Sequence, residues 1–280
     1  MAICVSLINM KGGVGKTTLA SQLAWHATRQ NNKRVLLIDL DPQANASQSI
    51  MTPAKYVEHL DADRPTIVNL FEEFTPSGLT RGSPTALDAK ALIHRRVKYS
   101  EGGVLDVLPS RLELSWTLRN SSGKENLLAR FVAKVQENYD LIVIDCAPTD
   151  SMLTDAAYLC SRYILVPIKA EFLAAIGFPL LKRSLEAFKI RHEDHLIEIC
   201  GLVFNDYYRN RREYTLARED IEHKAQAFGW HIFSNDIPHS DSYFRSAREG
   251  MPIDATKGAH TTVKDDFDAF ATEFCDRIKL

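Results

Sequence analysis

Short runs of apolar residues, each about the length of one strand, recur along the chain and alternate with helix-length segments. The runs lie at residues 4–8, 35–39, 104–108, 141–145, 163–168, 197–204 and 230–233. They are continuous rather than alternating in polarity, which is typical of strands buried on both faces. Between them, residues 17–29 and 125–138 place apolar side chains at helical spacing. This order predicts an α/β fold with a doubly wound, mostly parallel β-sheet flanked by helices.

The stretch 51–103 is the least regular part of the sequence. Its four prolines, together with Gly78 and Gly82, divide it into short pieces, and residues 67–74 are its best helix candidate. We interpret it as a long connection on one edge of the sheet. The chain has 280 residues, 45% hydrophobic and 25% charged, and no repeats or long linkers. A single domain over residues 1–280 is therefore expected.

Charge and cysteine content exclude several classes of protein. The formal net charge is −2, so any binding to nucleic acid must depend on a local basic patch. The five cysteines are scattered and form no C-x-x-C pair, which predicts buried free thiols rather than disulfides or a metal site.

No apolar run reaches the length of a membrane span, and the N-terminus is interpreted as a first strand rather than a signal peptide.

The first apolar run leads directly into Asn9-Met-Lys-Gly-Gly-Val-Gly-Lys-Thr-Thr18, which a helical pattern follows. The glycines allow the backbone to curl so that successive N–H groups point at phosphate oxygens, and the helix N-terminus adds positive partial charge. In such a loop Lys16 reaches the β- and γ-phosphates, and the Thr17 hydroxyl is a ligand for Mg²⁺. Met10 stands where the strict pattern has its first glycine.

Aspartates follow two of the apolar runs. Asp39 ends the run at 35–39, Asp41 follows two residues later, and Asp145 ends the run at 141–145. Acids at the carboxyl ends of parallel strands lie at the ligand-binding edge of such a sheet. We expect Asp145 to hold Mg²⁺, Asp39 to support the metal shell, and Asp41 to orient the attacking water. Capping of turns and helices is the alternative role for these side chains.

The segments Lys-Gly-Gly-Val-Gly-Lys-Thr-Thr (11–18) and Asp-x-Asp-Pro-Gln-x-Asn (39–45) resemble the ParA/MinD family of deviant Walker A P-loop ATPases, most closely its ParA (Soj-like) partition members. The resemblance implies ATP and Mg²⁺ as cofactors. It also implies that Lys11 crosses a dimer interface to touch the partner's nucleotide, as a third catalytic residue beside Lys16 and Asp41. The nucleotide-binding residues implied are Lys11, Gly12, Gly13, Val14, Gly15, Lys16, Thr17, Thr18 and, at the adenine, Asn205 and Pro238.

The branches of this family differ in their partners. MinD-like members end in a basic, membrane-targeting helix, but residues 261–280 carry five acidic and three basic residues. Membrane binding is therefore not expected, and Phe267, Phe270 and Phe274 are predicted to pack in the core. Reductases of this family share an iron–sulfur cluster across the dimer through two cysteines of each subunit. The spacing of Cys146 from the other cysteines gives no signature of such a cluster.

The ParA branch implies an ATP-dependent homodimer that binds nonspecific DNA and hydrolyses ATP slowly. A ParB-like or adaptor protein would stimulate hydrolysis, and the location would be cytoplasmic and nucleoid-associated. Candidate DNA contacts are Arg209, Arg211, Arg212, Arg245 and Arg248. Many ParA proteins have an arginine where this chain has His239 to Ser242. A protein cargo and a metabolic P-loop kinase or ligase remain as alternatives, although Lys11 and the Asp-Pro-Gln string count against the latter.

Overall fold

A single mixed sheet organises the computed structural model, which describes residues 1–72, 88–120, 123–171, 174–208 and 212–280. Its strands are β1 (Ile3–Leu7), β2 (Arg34–Leu40), β3 (His94–Lys98), β4 (Val104–Leu108), β5 (Leu141–Cys146), β6 (Tyr163–Ile168), β7 (Glu198–Tyr207) and β8 (Ile237–Pro238). They lie in the order β3-β4-β2-β5-β1-β6-β7-β8. Every neighbouring pair is parallel except β3 and β4. The predicted mostly parallel α/β fold is confirmed.

Helices cover both faces of the sheet. They are α1 (Lys16–Arg29), α2 (Asn45–Met51), α3 (Pro53–Asp61), α4 (Ile67–Glu72), α5 (Leu114–Thr117), α6 (Asn126–Val135), α7 (Met152–Cys160), α8 (Ala174–Arg191), α9 (Arg212–Phe228), α10 (Ser242–Glu249) and α11 (Thr261–Ile278). Alternate strand residues feed two separate cores. Leu36 and Ile38 face the core that includes α4 and α6 to α9, whereas Val35 and Leu37 face the core that includes α1, α2, α10 and α11. Burial on both faces explains the continuous apolar runs.

The predicted strand at residues 230–233 is wrong, because only Ile232 pairs there, through an isolated bridge to Leu202. This segment is apolar because Phe233 is buried in the core, and not because it extends the sheet. The last strand is instead β8, which lies beside the end of β7.

The irregular stretch 51–103 contains more regular structure than the sequence predicts. Besides α4, it holds α3 and the edge strand β3, which runs antiparallel to β4. The strand was missed because His-Arg-Arg-Val-Lys has no apolar pattern. The predicted helix at 67–74 corresponds to α4, and its last two residues lie outside the described residues.

The aromatic stripe of α11 is part of the core, as predicted. Phe267, Phe270 and Phe274 are buried and pack on the α1 side of the sheet. The spacing of these rings therefore reflects packing. In the part of the chain that the structure describes, no helix is both long enough and apolar enough to cross a membrane.

The cysteines are free thiols. Four of them are buried, and Cys160 is half-buried. Burial raises the pKa of Cys4 to about 12, which keeps that thiol protonated and unreactive at neutral pH. The predicted buried thiols are confirmed for these four residues.

Candidate nucleotide-binding site

The glycine-rich loop connects the carboxyl end of β1 to the first turn of α1. Gly13 and Gly15 have φ angles of 71° and 93°, in the left-handed region where a Cβ is strained. Gly15 is the N-cap of α1, and no side chain caps this helix. The first backbone N–H groups of α1 are thus available to an anion, and the helix dipole favours one.

The Lys16 side chain is folded back into this loop. Its ammonium Nζ donates to the carbonyl oxygens of Asn9 and Lys11, each at 3.1 Å, and the residue is only 6% exposed. Burial lowers the pKa of Lys16, while the attraction of Asp145 works against that shift. The lysine therefore lies at the centre of the loop, where bound phosphate would compensate its buried charge.

Asn9 shapes the loop, although sequence analysis did not select it. Its Oδ1 accepts from the Lys11 backbone N–H at 2.9 Å, and its Nδ2 donates to the Pro167 carbonyl in β6 at 2.7 Å. The side chain is 9% exposed. Asn9 is the first polar residue after a buried strand, and this position is the sequence signal that could have identified it.

Asp145 occupies a buried position beside Thr17. Its Oδ2 accepts from the Thr17 hydroxyl at 2.7 Å, whereas its Oδ1 is buried with no hydrogen-bond partner. Burial, followed by the nearby Asp39 charge, raises the pKa of Asp145 well above its ordinary value. A half-satisfied buried carboxylate next to a hydroxyl fits a hard divalent cation, for which oxygen donors are the preferred ligands.

Asp39 lies opposite Asp145 in the β2–β5 register but faces different partners. Its Oδ2 accepts from the Ser47 backbone N–H at 2.7 Å and the Ser47 hydroxyl at 2.6 Å, and its Oδ1 accepts from the Asp41 N–H at 3.2 Å. Burial raises the pKa of Asp39 to about 6 despite these bonds. The carboxylate thus anchors the loop that carries Asp41 to α2, and support of a metal shell stays a prediction.

Asp41 lines an open cleft at this edge of the sheet. Its Oδ1 accepts from the Gln43 backbone N–H at 2.9 Å, which shapes the turn after β2. The residue is 9% exposed. A carboxylate that is held by a turn and faces a cleft can accept or orient a proton of a bound water.

The cleft has a volume of about 760 Å³. At its floor lie Gly12, Gly13, Gly15, Lys16, Thr17 and Thr18, with α2 and α10 as walls. Asn205 and Pro238 also line it, and Asn205 Nδ2 donates to the Val14 carbonyl of the loop at 2.9 Å. The predicted loop, Asp41 and the two residues expected at adenine thus lie along one concave surface. Parallel strand ends meet at this edge.

Lys11 differs from Lys16 in its surroundings. The Lys11 side chain is 33% exposed and forms an ion pair with Glu171, which follows β6. Its ammonium therefore lies at the surface beside the loop and is held within the same chain. Contact with a partner's nucleotide stays a prediction.

A charged group that lines the cleft next to Asn205 and Pro238 was missed by sequence analysis. Lys169 Nζ lies 2.6 Å from Asp206 Oδ2, and the His239 ring bonds to Asp206 Oδ1 and stacks on Tyr208. Burial works to raise the pKa of Asp206, but the hydrogen bonds from Lys169 and His239 outweigh it, so the pKa is lowered. These residues come from separate elements, and no local pattern marks them.

The five arginines predicted to contact DNA have unlike environments. Arg209 and Arg211 lie outside the described residues. Arg212 is exposed at the start of α9, and Arg248 is exposed on α10 at the cleft. The Arg245 guanidinium donates to Ser242 Oγ and to a backbone carbonyl, so it also holds α10 in place. DNA contact stays a prediction for all five.

The two left-handed glycines of the loop provide a matched pair of variants. A Cβ on Gly15 would lie 2.0 Å from Asn205 Nδ2, whereas a Cβ on Gly13 would meet nothing within 4 Å. We expect Gly15→Ala to lower ATP affinity at least about ten-fold, because it must displace Asn205 as well as strain the backbone. Gly13→Ala adds backbone strain alone, of about 1–2 kcal/mol. Titration with a fluorescent ATP analogue measures both, and equal losses would contradict this account.

A glycine-rich turn between a parallel strand and a helix, with a buried lysine and a carboxylate–threonine pair, defines a P-loop nucleoside triphosphatase of the deviant Walker A type. A family model described as an AAA domain matches residues 2–198. The chain therefore belongs to this family, within the ParA/MinD group of P-loop ATPases that its motifs resemble.

Relatives support this assignment. An uncharacterized protein of Mycobacterium tuberculosis is 31% identical over 99% of this chain and 79% of its own length. The chromosome-partitioning ATPase Soj of Treponema pallidum is 27% identical over 88% of this chain and 87% of its own. Among solved structures, the ATP complex of a Cyanothece McdA variant has a TM-score of 0.78 at 17% identity, covering 100% of this chain and 97% of that one. This structural likeness concerns the fold.

Proposed function

We propose that the chain is a ParA-like partition ATPase whose residues 1–280 act as one domain that binds ATP with Mg²⁺ in the cleft. The observation that carries this proposal is the buried, half-satisfied Asp145 carboxylate beside Thr17 and Lys16 at the glycine-rich loop. The name of the Treponema relative, a chromosome-partitioning ATPase, supports the role in partition.

The glycine-rich loop and the ends of strands β5, β7 and β8 bind different parts of ATP and its metal ion. The N–H groups of the loop and of the first turn of α1 receive phosphate oxygens, and Lys16 binds the β- and γ-phosphates. Thr17 and Asp145 would hold Mg²⁺, which would supply positive charge against the phosphates and against the charge that develops during transfer. Asn205 and Pro238, which also line the cleft, contact the adenine.

Hydrolysis is carried out by Asp41 and assisted from a second subunit. Asp41 orients the attacking water from its turn at the cleft wall. In an ATP-dependent homodimer, Lys11 leaves Glu171 and adds a positive charge at the partner's phosphates. Turnover is slow until a ParB-like or adaptor protein stimulates it.

The ATP-bound dimer binds DNA without sequence preference. Dimerisation places two copies of each basic surface on one particle, so a chain of net charge −2 still offers a local positive patch. Arg212 and Arg248, both exposed, are described candidates for this patch. The protein is accordingly expected in the cytoplasm, associated with the nucleoid.

A DNA-binding assay over a salt series, with ATP, with ADP and without nucleotide, tests the proposal. We expect binding only with ATP, and an affinity that falls steeply as salt rises because phosphate contacts release counterions. Equal binding in all three states would contradict the model of ATP-gated DNA binding. ATP binding without DNA binding in any state would instead favour a protein cargo.

A matched pair of variants tests the proposal that Arg248 contacts DNA. Arg248→Ala is expected to weaken DNA binding by about three- to ten-fold for every DNA sequence tested, as expected for loss of a phosphate contact. Arg119→Ala removes an exposed arginine next to α5 and should leave binding unchanged. If both variants bind as the wild type does, Arg248 does not contact DNA.

A further inference from the structure

Arg96 joins the two helices that form the walls of the cleft, although it does not line the cleft itself. It lies in the edge strand β3, and its Nε donates to the Ile50 carbonyl at 2.7 Å. Its Nη2 donates to the Gly250 carbonyl at 2.9 Å, and its guanidinium lies 5.5 Å from the centre of the Trp25 ring. Elements α1, α2 and α10 therefore meet at one side chain.

Both carbonyls that Arg96 binds belong to helix C-termini. Ile50 is in the last turn of α2, and Gly250 is the C-cap of α10, with a φ of 61°. Each C-terminus carries negative partial charge and unpaired carbonyl oxygens, so two of them placed side by side repel each other. A guanidinium between them supplies hydrogen-bond donors and a compensating charge to both.

The same two helices bound the cleft. Gln48 and Ser49 of α2 line one wall, and Phe244 and Arg248 of α10 line the other. Their junction is tight, because a Cβ on Gly250 would lie 2.6 Å from the Thr52 side chain. The spacing of the walls is thus set where Arg96 binds.

A second contact keeps α10 in place relative to the glycine-rich loop. Gln22 of α1 donates to Ser246 of α10 at 2.7 Å and accepts from the Ile253 N–H at 2.7 Å. This contact holds α10 to α1 but does not touch α2. Helices α2 and α10 also pack directly on each other, and in the part of the chain that the structure describes the side-chain hydrogen bonds that link them are those of Arg96.

We propose that Arg96 is a positioning residue that clamps α2 to α10 and so pre-forms the cleft for the nucleotide. That the ligand is ATP rests on the proposed function, but the joint that Arg96 makes between α2 and α10 is present in the protein without nucleotide. Without it, the repelling helix ends separate, and ATP must close the walls before it is held. Part of the binding free energy is then used for closure, which weakens the apparent affinity.

The test compares Arg96→Leu with the wild type and with Lys98→Leu, which removes a positive charge from an exposed position of the same strand. Without nucleotide, amide hydrogen exchange in α2 and α10 should speed by about ten-fold in Arg96→Leu, with α1 and the central strands unchanged. The affinity for Mg²⁺–ATP, measured with a fluorescent analogue, should fall by a similar factor of about ten. Lys98→Leu should match the wild type in both measurements.

Arg96→Lys retains the charge but lacks the planar fork of donors that reaches both carbonyls, so it should show smaller effects in the same direction. It replaces the leucine variant if that one does not fold. Unchanged exchange in α2 and α10 would overturn the clamp. If exchange is faster but the variant binds ATP as the wild type does, Arg96 does not pre-form the cleft. The same holds if the variant only loses thermal stability. If the wild-type protein does not bind ATP, the proposed function is refuted. Hydrogen exchange measured without nucleotide would still show whether Arg96 joins α2 to α10.

Discussion

Replacing Lys16 with alanine is expected to abolish ATP turnover and to weaken ATP binding by at least about 100-fold, or ~3 kcal/mol. The reason is the location of the ammonium, which lies inside the loop on the carbonyls of Asn9 and Lys11 and is almost fully buried. Charged hydrogen bonds to phosphate in such a site are strong because water does not compete for them. Isothermal titration with Mg²⁺–ATP and a phosphate-release assay give the two quantities.

The fold should survive this substitution, because removing a buried charge offsets the loss of two hydrogen bonds. Thermal unfolding of the variant verifies that the protein is intact. Lys134→Ala, on an exposed position of α6, removes a lysine outside the cleft and serves as the matched control. Wild-type turnover in the Lys16 variant would show that the glycine-rich loop is not the phosphate site.

Asp41→Ala is expected to lower turnover by about 10²–10³-fold while ATP remains bound. Asp41 lies at the cleft wall, and only one of its carboxylate oxygens is used by the turn, through the Gln43 N–H. Loss of the group that orients water blocks hydrolysis but leaves the phosphate loop intact. The protein should therefore accumulate as an ATP-bound dimer, which light scattering after size exclusion detects.

Asp41→Asn separates chemistry from loop structure. The asparagine side-chain oxygen can still accept from Gln43, so the turn is kept, but the amide cannot take up a proton. Equal loss of turnover in the alanine and asparagine variants supports a role of the carboxylate in the reaction. An active asparagine variant would instead show that a neutral acceptor at position 41 suffices and that the reaction does not need the carboxylate to take up a proton.

The two strand-end aspartates show where prediction from sequence stops. Asp39 and Asp145 both lie near the carboxyl ends of buried strands, so the sequence assigns both to the metal, and they are paired in register in the sheet. In the structure, one carboxylate oxygen of Asp145 accepts from Thr17 and the other has no hydrogen-bond partner. Both carboxylate oxygens of Asp39, in contrast, accept hydrogen bonds, from Ser47 and from the Asp41 N–H. The difference depends on where α2 packs against the strand ends, which no local pattern encodes.

The sequence by itself determined the α/β class and the glycine-rich loop. Both follow from local rules, since strand-length apolar runs must be buried and a loop that wraps phosphate requires glycine at Gly13 and Gly15. Tertiary structure alone decided which carboxylate is left half-satisfied, where the last strand lies, and that Arg96 joins two helix ends. These features depend on contacts between residues far apart in the chain, such as Arg96 and Gly250, whose meeting is set by the packing of whole elements.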